Sequence, residues 1–535
     1  MKNIINKSLI IVFLIGIAGC SDDFLELESK VDKLENNAYQ NENDALQAMT
    51  AVYHAFAVQP WIHVPMQSDM FSDDAFTAGE PGGGMQQFQE QENSTVTPEN
   101  TAAIDLWNKC YSGIYRANVY LEKEVDIEWS TDGLQERMKA EVRVLRAHFY
   151  WDLIRHYGWV PLVTAQFESF QASKEVTQVE PEEILTFIAT ELLESVEYLP
   201  EVATDGEKGR VTSDMVNMLI ARIYLLHTGF FQPVLGVSNS WQDANGTIID
   251  ETFVKGRVDE MLGSSRYSLM SDYNEVFDWS NENSTESIFE WQYSENALSE
   301  DWGGWGIRGN FAVVYFGPRM PEGDLEISEG WSFNTLSWSL YDEFETGDPR
   351  LDATVYDAEA NLTSYAAGYQ NTGYFNAKYM PRAAYRSTDG GIPDHNWRVN
   401  YKDMRLSELY LIGSELHLSS NPTLAADYLN EVRVRAMGEA ARLTNITIDD
   451  IYHERRVELA CEGHRKWDLL RRGLDYTKTM LDQSFEVPDG VENAIEFSNG
   501  VFQIDTWGML PIPASEIRLT NEGQLRQYVP AYGGR

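Results

Sequence analysis

"AEVRVLRAHFYWDLIRHYGWVPLV", Ala140–Val163, is the stretch on which the reading of the chain turns. Extended back to Leu134, it carries Leu134, Met138, Val142, Leu145, Phe149, Leu153 and Tyr157 at steps of three or four, so these side chains share one face of a helix. Gly158 and Pro161 stop that helix. The same spacing recurs over Ala45–Val58, Ile104–Leu121 and Thr212–His227. Trp107, Tyr111 and Tyr115 form an aromatic stripe on the second of these, expected to be core.

Helices return near the other end, at "MRLSELYLIGSELHL" (Met404–Leu418), "TLAADYLNEVRVRAM" (Thr423–Met437) and "DDIYHERRVELACEGHRKWDLLRRG" (Asp449–Gly473). In the last, Glu462 stands four residues before Lys466 and Asp468 four before Arg472, spacing that predicts ion pairs on an exposed helical stripe. Residues 229–400 differ: they are rich in Gly, Asn, Asp, Ser and aromatics, and "ESIFEWQYS" (Glu286–Ser294) alternates like a strand. The expectation is a mainly α protein, a helical-repeat scaffold around an irregular loop- and strand-containing middle, although no repeat consensus of roughly 34 residues is legible.

The chain starts with Lys2 and Lys7, an apolar run Ser8–Ala18, and "AGC" at Ala18–Cys20. The run is well short of the roughly 20 residues of a spanning helix and fits a signal peptide over residues 1–19. Ile17–Cys20 resembles a lipobox, which makes Cys20 the lipidation site and acyl chains the link to a membrane. The acidic Ser21-Asp22-Asp23 after it resembles a surface-export signal. No later stretch reads as long and apolar enough to span a membrane. With 84 acidic and 41 basic residues the chain bears −43, which argues against nucleic acid or anionic lipid as a partner. Cys110 and Cys461 match no metal or redox spacing and are expected to be buried thiols.

Motifs for catalysis are weak. Gly304-Trp305-Gly306-Ile307-Arg308-Gly309 formally fits G-x-G-x-x-G, but the following "NFAVVYF" reads as a strand where a dinucleotide site needs a helix N-terminus. His148 and His156 are eight residues apart, too far to share a metal unaided. Among 84 acidic residues, pairs such as Asp73–Asp74 are inevitable and do not by themselves mark a glycosidase. No catalytic residue, cofactor or metal site is expected, and no repeated module points to a surface-layer protein. The positive signal is aromatic: 15 Trp and 27 Tyr, several of them in Gly-rich polar stretches. Flat sugar faces stack on such rings while hydroxyls pair with polar side chains. The candidate platforms are Trp61, Trp302, Trp305 and Trp331, with Asp73, Asp74, Arg308 and Asn310 as polar contacts. A glycan is the expected ligand; a peptide is the alternative, and glycoside hydrolysis a weaker one.

Several segments together resemble the SusD/RagB family: the Ala140–Val163 stretch, "LWNKCYSGIYRAN" (Leu106–Asn118), "YKDMRLSELYLIGSELH", "LNEVRVRA", "ERRVELACEGHRKWDLLRRG" and "LPIPASEI" (Leu510–Ile517). The resemblance implies a scaffold of tetratricopeptide-type helix pairs with an irregular remainder packed on it. It divides the chain into a signal peptide (1–19), an N-terminal helical part (20–230) and a C-terminal part with the ligand-binding middle (231–535), the last two forming one unit. It further implies a non-catalytic lipoprotein facing the cell exterior from the outer membrane. Such a protein sits as a lid on a SusC-like TonB-dependent transporter and passes it captured glycan. The family's ligand contacts lie largely in the middle and in the loop after the first helix.

Overall fold

The computed structural model describes residues 39–58, 64–79, 85–294, 307–386, 392–482 and 501–534. Ten helices carry the scaffold: α1 Glu42–Ala57, α2 Thr101–Lys123, α3 Leu134–Tyr157, α4 Pro181–Leu193, α5 Ser213–Leu226, α6 Glu251–Gly263, α7 Leu406–His417, α8 Pro422–Met437, α9 Ile448–Leu459 and α10 Arg465–Arg471. From α1 to α9 each helix packs on the next, including α6 on α7, so the row continues across a break of more than a hundred residues in the chain. The irregular middle is thus a long excursion from one helical row. One hydrophobic cluster runs through both ends of the chain, from Ala45 to Val529.

Local signals set the helix ends. Asn41, Asn100, Thr212, Asp250, Asn421 and Thr447 each accept from a backbone N–H of the first turn. Thr447 and Asp450 complete a capping box. Helix α3 spans the residues its periodicity predicts, yet it is buried on every side from Val144 to Ile154. Two of its charged side chains there are held by partners: Arg146 Nε donates to Glu191 (2.9 Å), and Asp152 accepts from Arg155. Cys110 and Cys461 are buried free thiols.

The strands are few. β1 Ala75–Thr77, β4 Asn334–Leu336, β7 Tyr374–Asn376 and β5 Val355–Asp357 form an antiparallel sheet in the order β1-β4-β7-β5. β2 Ser287–Trp291, the strand read from "ESIFEWQYS", pairs with β8 Tyr401–Arg405, and β3 Arg319–Glu322 with β6 Ser364–Ala366.

Four expectations need correction. Asp449–Gly473 is two helices, because Cys461 (φ 67°) and Gly463 (φ 77°) turn the chain between α9 and α10. The i,i+4 pairs fail with it: Glu462 lies in the turn and engages Arg405 and Lys378, Asp468 pairs with Arg455 and Arg471, and all of Glu462, Lys466 and Asp468 are buried rather than on an exposed stripe. "NFAVVYF" is not a strand; Val313–Phe316 is a single helical turn. In the aromatic stripe, Trp107 is core but Tyr115 is 57% exposed. Finally, Ser213–Leu235 is by length and composition long and apolar enough to cross a membrane. Half of it is buried within the protein, and Arg222 on it donates to Glu408 and Asp403 (2.8 and 2.6 Å), which marks a core helix.

Candidate functional site

Helix α1 has two faces. Ala45, Val52, Ala55 and Phe56 enter the core. Leu46, Met49, Thr50, Tyr53, His54 and Ala57, again spaced by three or four, form one wall of a cleft of about 400 Å³. Phe289, Glu290 and Trp291 of β2, with Gln292–Ser294 after it, form the floor; Lys208–Arg210 and Ile307–Arg308 close the sides.

The lining is held by its own bonds. Tyr53 Oη donates to Glu141 (2.6 Å) and accepts from the Val211 N–H (2.9 Å). Burial and then the Glu141 carboxylate push its pKa well above the ordinary tyrosine value. Trp291 Nε1 donates to Asp403 (2.9 Å), and its ring meets Phe56 edge-on at 4.9 Å. Glu290 is engaged by Lys402 (2.7 Å), and Arg210 lies between Glu141 and Glu207. Burial, and then the positive charge of Arg116, hold His54 below its usual pKa. Arg308 is exposed at the rim, and its guanidinium makes no hydrogen bond or ion pair among the described residues.

Trp61, Trp302 and Trp305 lie outside the described residues. The ends of the chain leading to them do not: Val58, Ser294 and Ile307 all line this cleft. Tyr293 Oη donates to the Ala57 carbonyl and the Ser294 N–H to that of Arg308, both at 2.9 Å, so three separate parts of the sequence are tied together there. Arg308 is thereby placed at the cleft as a polar candidate. Gly309 follows with no room for a side chain, since a Cβ would sit 2.0 Å from the His395 carbonyl.

Other candidates fall elsewhere. Asn310 is 1% exposed; its amide donates to the Val399 carbonyl (2.9 Å) and its N–H to that of Trp397, so it ties backbone rather than facing a ligand. Trp331 is half-buried among Phe311, Tyr315 and Phe333, with ring centroids 5.4–5.8 Å apart. Asp73 and Asp74 are buried carboxylates held by arginines. Arg465 grips Asp73 with two bonds (2.7 and 2.8 Å) and Arg456 donates to Asp74 (2.8 Å). Burial raises the Asp73 pKa, but Arg456 and Arg465 outweigh it and bring it to about 2; burial keeps Asp74 above the usual value despite Arg456. Both carboxylates are structural, which corrects their reading as ligand contacts.

Tyr53, Phe289, Trp291 and Tyr293 line this cleft as well, and sequence reasoning did not single them out because they sit on elements read as scaffold. The second, outward stripe of α1 was the available signal. Among the described residues no group of three or more His, Cys, Asp or Glu side chains is placed to hold a metal. A second space of about 80 Å³ is lined by Arg222, Asp403, Glu408 and His464, charged and polar groups that pair with one another.

Residues 285–532 match the model of the SusD family, and residues 20–225 match a model described as starch-binding, associating with the outer membrane. A solved laminarin-binding SusD-like protein is 30% identical, with 91% of this chain and 100% of that one covered and a TM-score of 0.77. The chain belongs to the SusD family. Surface glycan-binding protein A from Bacteroides thetaiotaomicron, solved with laminarihexaose, resembles this SusD-family protein at 26% identity over 91% of this chain and 99% of that one, TM-score 0.77. SusD-like protein P25 of Formosa agariphila is 24% identical over 88% of this chain and 90% of its own length. The fold is the mainly α SusD-like fold.

Proposed function

We propose that this SusD-family protein captures a glycan at the cell surface in the cleft between α1 and β2 and passes it to a TonB-dependent transporter of the SusC type. The observation that carries the reading is the convergence at that cleft. The chain segments leading to Trp61, Trp302 and Trp305 start there, beside Trp291, Tyr293 and Arg308. The laminarin-binding relative and the laminarihexaose complex make a β-linked glucan the first ligand to try. In this reading the 20–230 and 231–535 parts act as one unit, and Cys20 carries the acyl chains that hold the protein to the outer membrane. Anchoring both partners in one membrane raises their effective concentration, so the body needs only modest affinity for the transporter. In this reading the protein binds without cleaving, and Glu290, the carboxylate among the described residues of the cleft, is engaged by Lys402.

Calorimetry of the chain from Ser21 onward against laminarihexaose and a panel of other oligosaccharides tests capture; binding without new reducing ends is expected. Turnover abolished by a single carboxylate substitution refutes the non-catalytic part. Cys20→Ala is expected to leave the membrane fraction and lose palmitate label, and a pull-down of the acylated protein to recover a barrel. A peptide is the second reading, favoured by β2, which pairs with β8 alone among the described strands and lines the cleft. A peptide library belongs in the same screen.

A further inference from the structure

We propose that the cleft receives a saccharide bearing negative charge, a uronate carboxylate or a sulfate ester, recognised by Arg308 and Lys208. The inference rests on the reading of this cleft as a glycan site and adds the charge class of the ligand.

A chain of net charge −43 leaves few cations without an acid beside them, so those that it does leave are informative. Apart from tyrosines, the titratable residues lining the cleft are His54, Lys208, Arg210, Glu290 and Arg308. Glu290 is 1% exposed and turned to Lys402, and Arg210 is shared by Glu141 and Glu207. Among the described residues, therefore, no free carboxylate faces the space. Arg308 stands exposed at the rim with no partner among the described residues. Lys208 has one acid nearby, Asp205 at 3.9 Å, too long for a hydrogen bond.

Behind the floor lies a further cation. Lys109 is 2% exposed, its ammonium makes no hydrogen bond, and it sits 5.1 Å from the ring of Trp291. Arg116 is close enough to His54, as Arg308 and Lys109 are, to act against its protonation. The wall and rim thus present positive potential from several directions, beside the partly exposed rings of Tyr53 and Tyr293, which suit a sugar. A guanidinium fork matches the paired oxygens of a carboxylate and of a sulfate alike, and charge-assisted bonds are about twice as strong as neutral ones.

The test is calorimetry with three hexasaccharides: neutral laminarihexaose, a hexauronate and a sulfated laminarihexaose. At least one charged ligand is expected to bind roughly tenfold more tightly than the neutral one at low salt. That advantage should collapse near 1 M salt, where the Debye length is about 3 Å. Which charged ligand prevails distinguishes carboxylate from sulfate. Arg308→Gln and Lys208→Gln, both surface substitutions, are expected to weaken the charged ligand several-fold more than the neutral one. Equal or tighter binding of the neutral hexaose, or equal losses for both ligand classes in the variants, overturns the inference and leaves the glycan reading standing. No binding by any of the three while another oligosaccharide of the panel binds overturns the inference alone; no binding by any oligosaccharide overturns both.

Discussion

Two regions of the protein treat charge in opposite ways. Under α9 and α10, charged groups are buried and interlocked: Arg405 reaches Glu286, Glu458 and Glu462; Arg350 reaches Asp348, Glu454 and Glu458; and Arg456 and Arg465 bind Asp73 and Asp74. At the α1–β2 cleft, Arg308 has no partner among the described residues, and Tyr53 and Tyr293 stay partly exposed. The same residue types are structural in one region and available in the other. What separates them is whether the fold supplies their partners. Buried ions must be answered within the protein, since an unpaired one costs several kcal/mol, whereas a cation at a cleft mouth retains its water until a ligand replaces it.

The sharpest way to break this comparison is to remove one member of the interlocked set. Arg405→Met leaves Glu286, Glu458 and Glu462 without their shared cation and is expected to cost about 3–5 kcal/mol in urea unfolding. A loss below about 1 kcal/mol, the scale of an exposed pair, contradicts the contrast. Asp73→Asn should cost roughly 2–3 kcal/mol for the same reason while sparing ligand affinity. Affinity lost at unchanged stability would return Asp73 to the site.

A pH titration sharpens it further. Burial lifts Glu92 to about 7 against the bonds from Gln370 and Thr77, and no cation offsets it. Its folded pKa lies above its unfolded value near 4.3, so its stabilising contribution is full below that value and fades as pH rises through about 7. Stability is expected to fall by at most about 1.4 kcal/mol from pH 6 to pH 8 through this group. Glu92→Gln should flatten that slope; an unchanged slope assigns it to other groups.

Much of the scaffold was legible because helical periodicity is a local signal. Leu134–Tyr157 was bounded by its own spacing and by Gly158. The break between α9 and α10 was not, since the charge spacing runs straight through it. The turn depends on Gly463 packing where a Cβ would lie 2.6 Å from Pro65, some four hundred residues away. Asp73 and Asp74 misled for the same reason: their arginines are more than 380 residues distant, and two adjacent acids say nothing of them. Arg308, named from its Gly-rich stretch, lines the cleft proposed as the site; Tyr53 and Trp291, which line it too, were hidden in a helix and a strand.

The proposed function requires that ligand enter the α1–β2 cleft. Thr50, exposed on α1 and lining that cleft, lets the claim be tested without touching the core. Thr50→Trp places a large ring in the cleft. Calorimetry with the best oligosaccharide from the screen should show affinity reduced by more than about tenfold, a loss of about 1.4 kcal/mol, with the unfolding midpoint unchanged. Full affinity in a folded Thr50→Trp protein would contradict the account and move the site elsewhere.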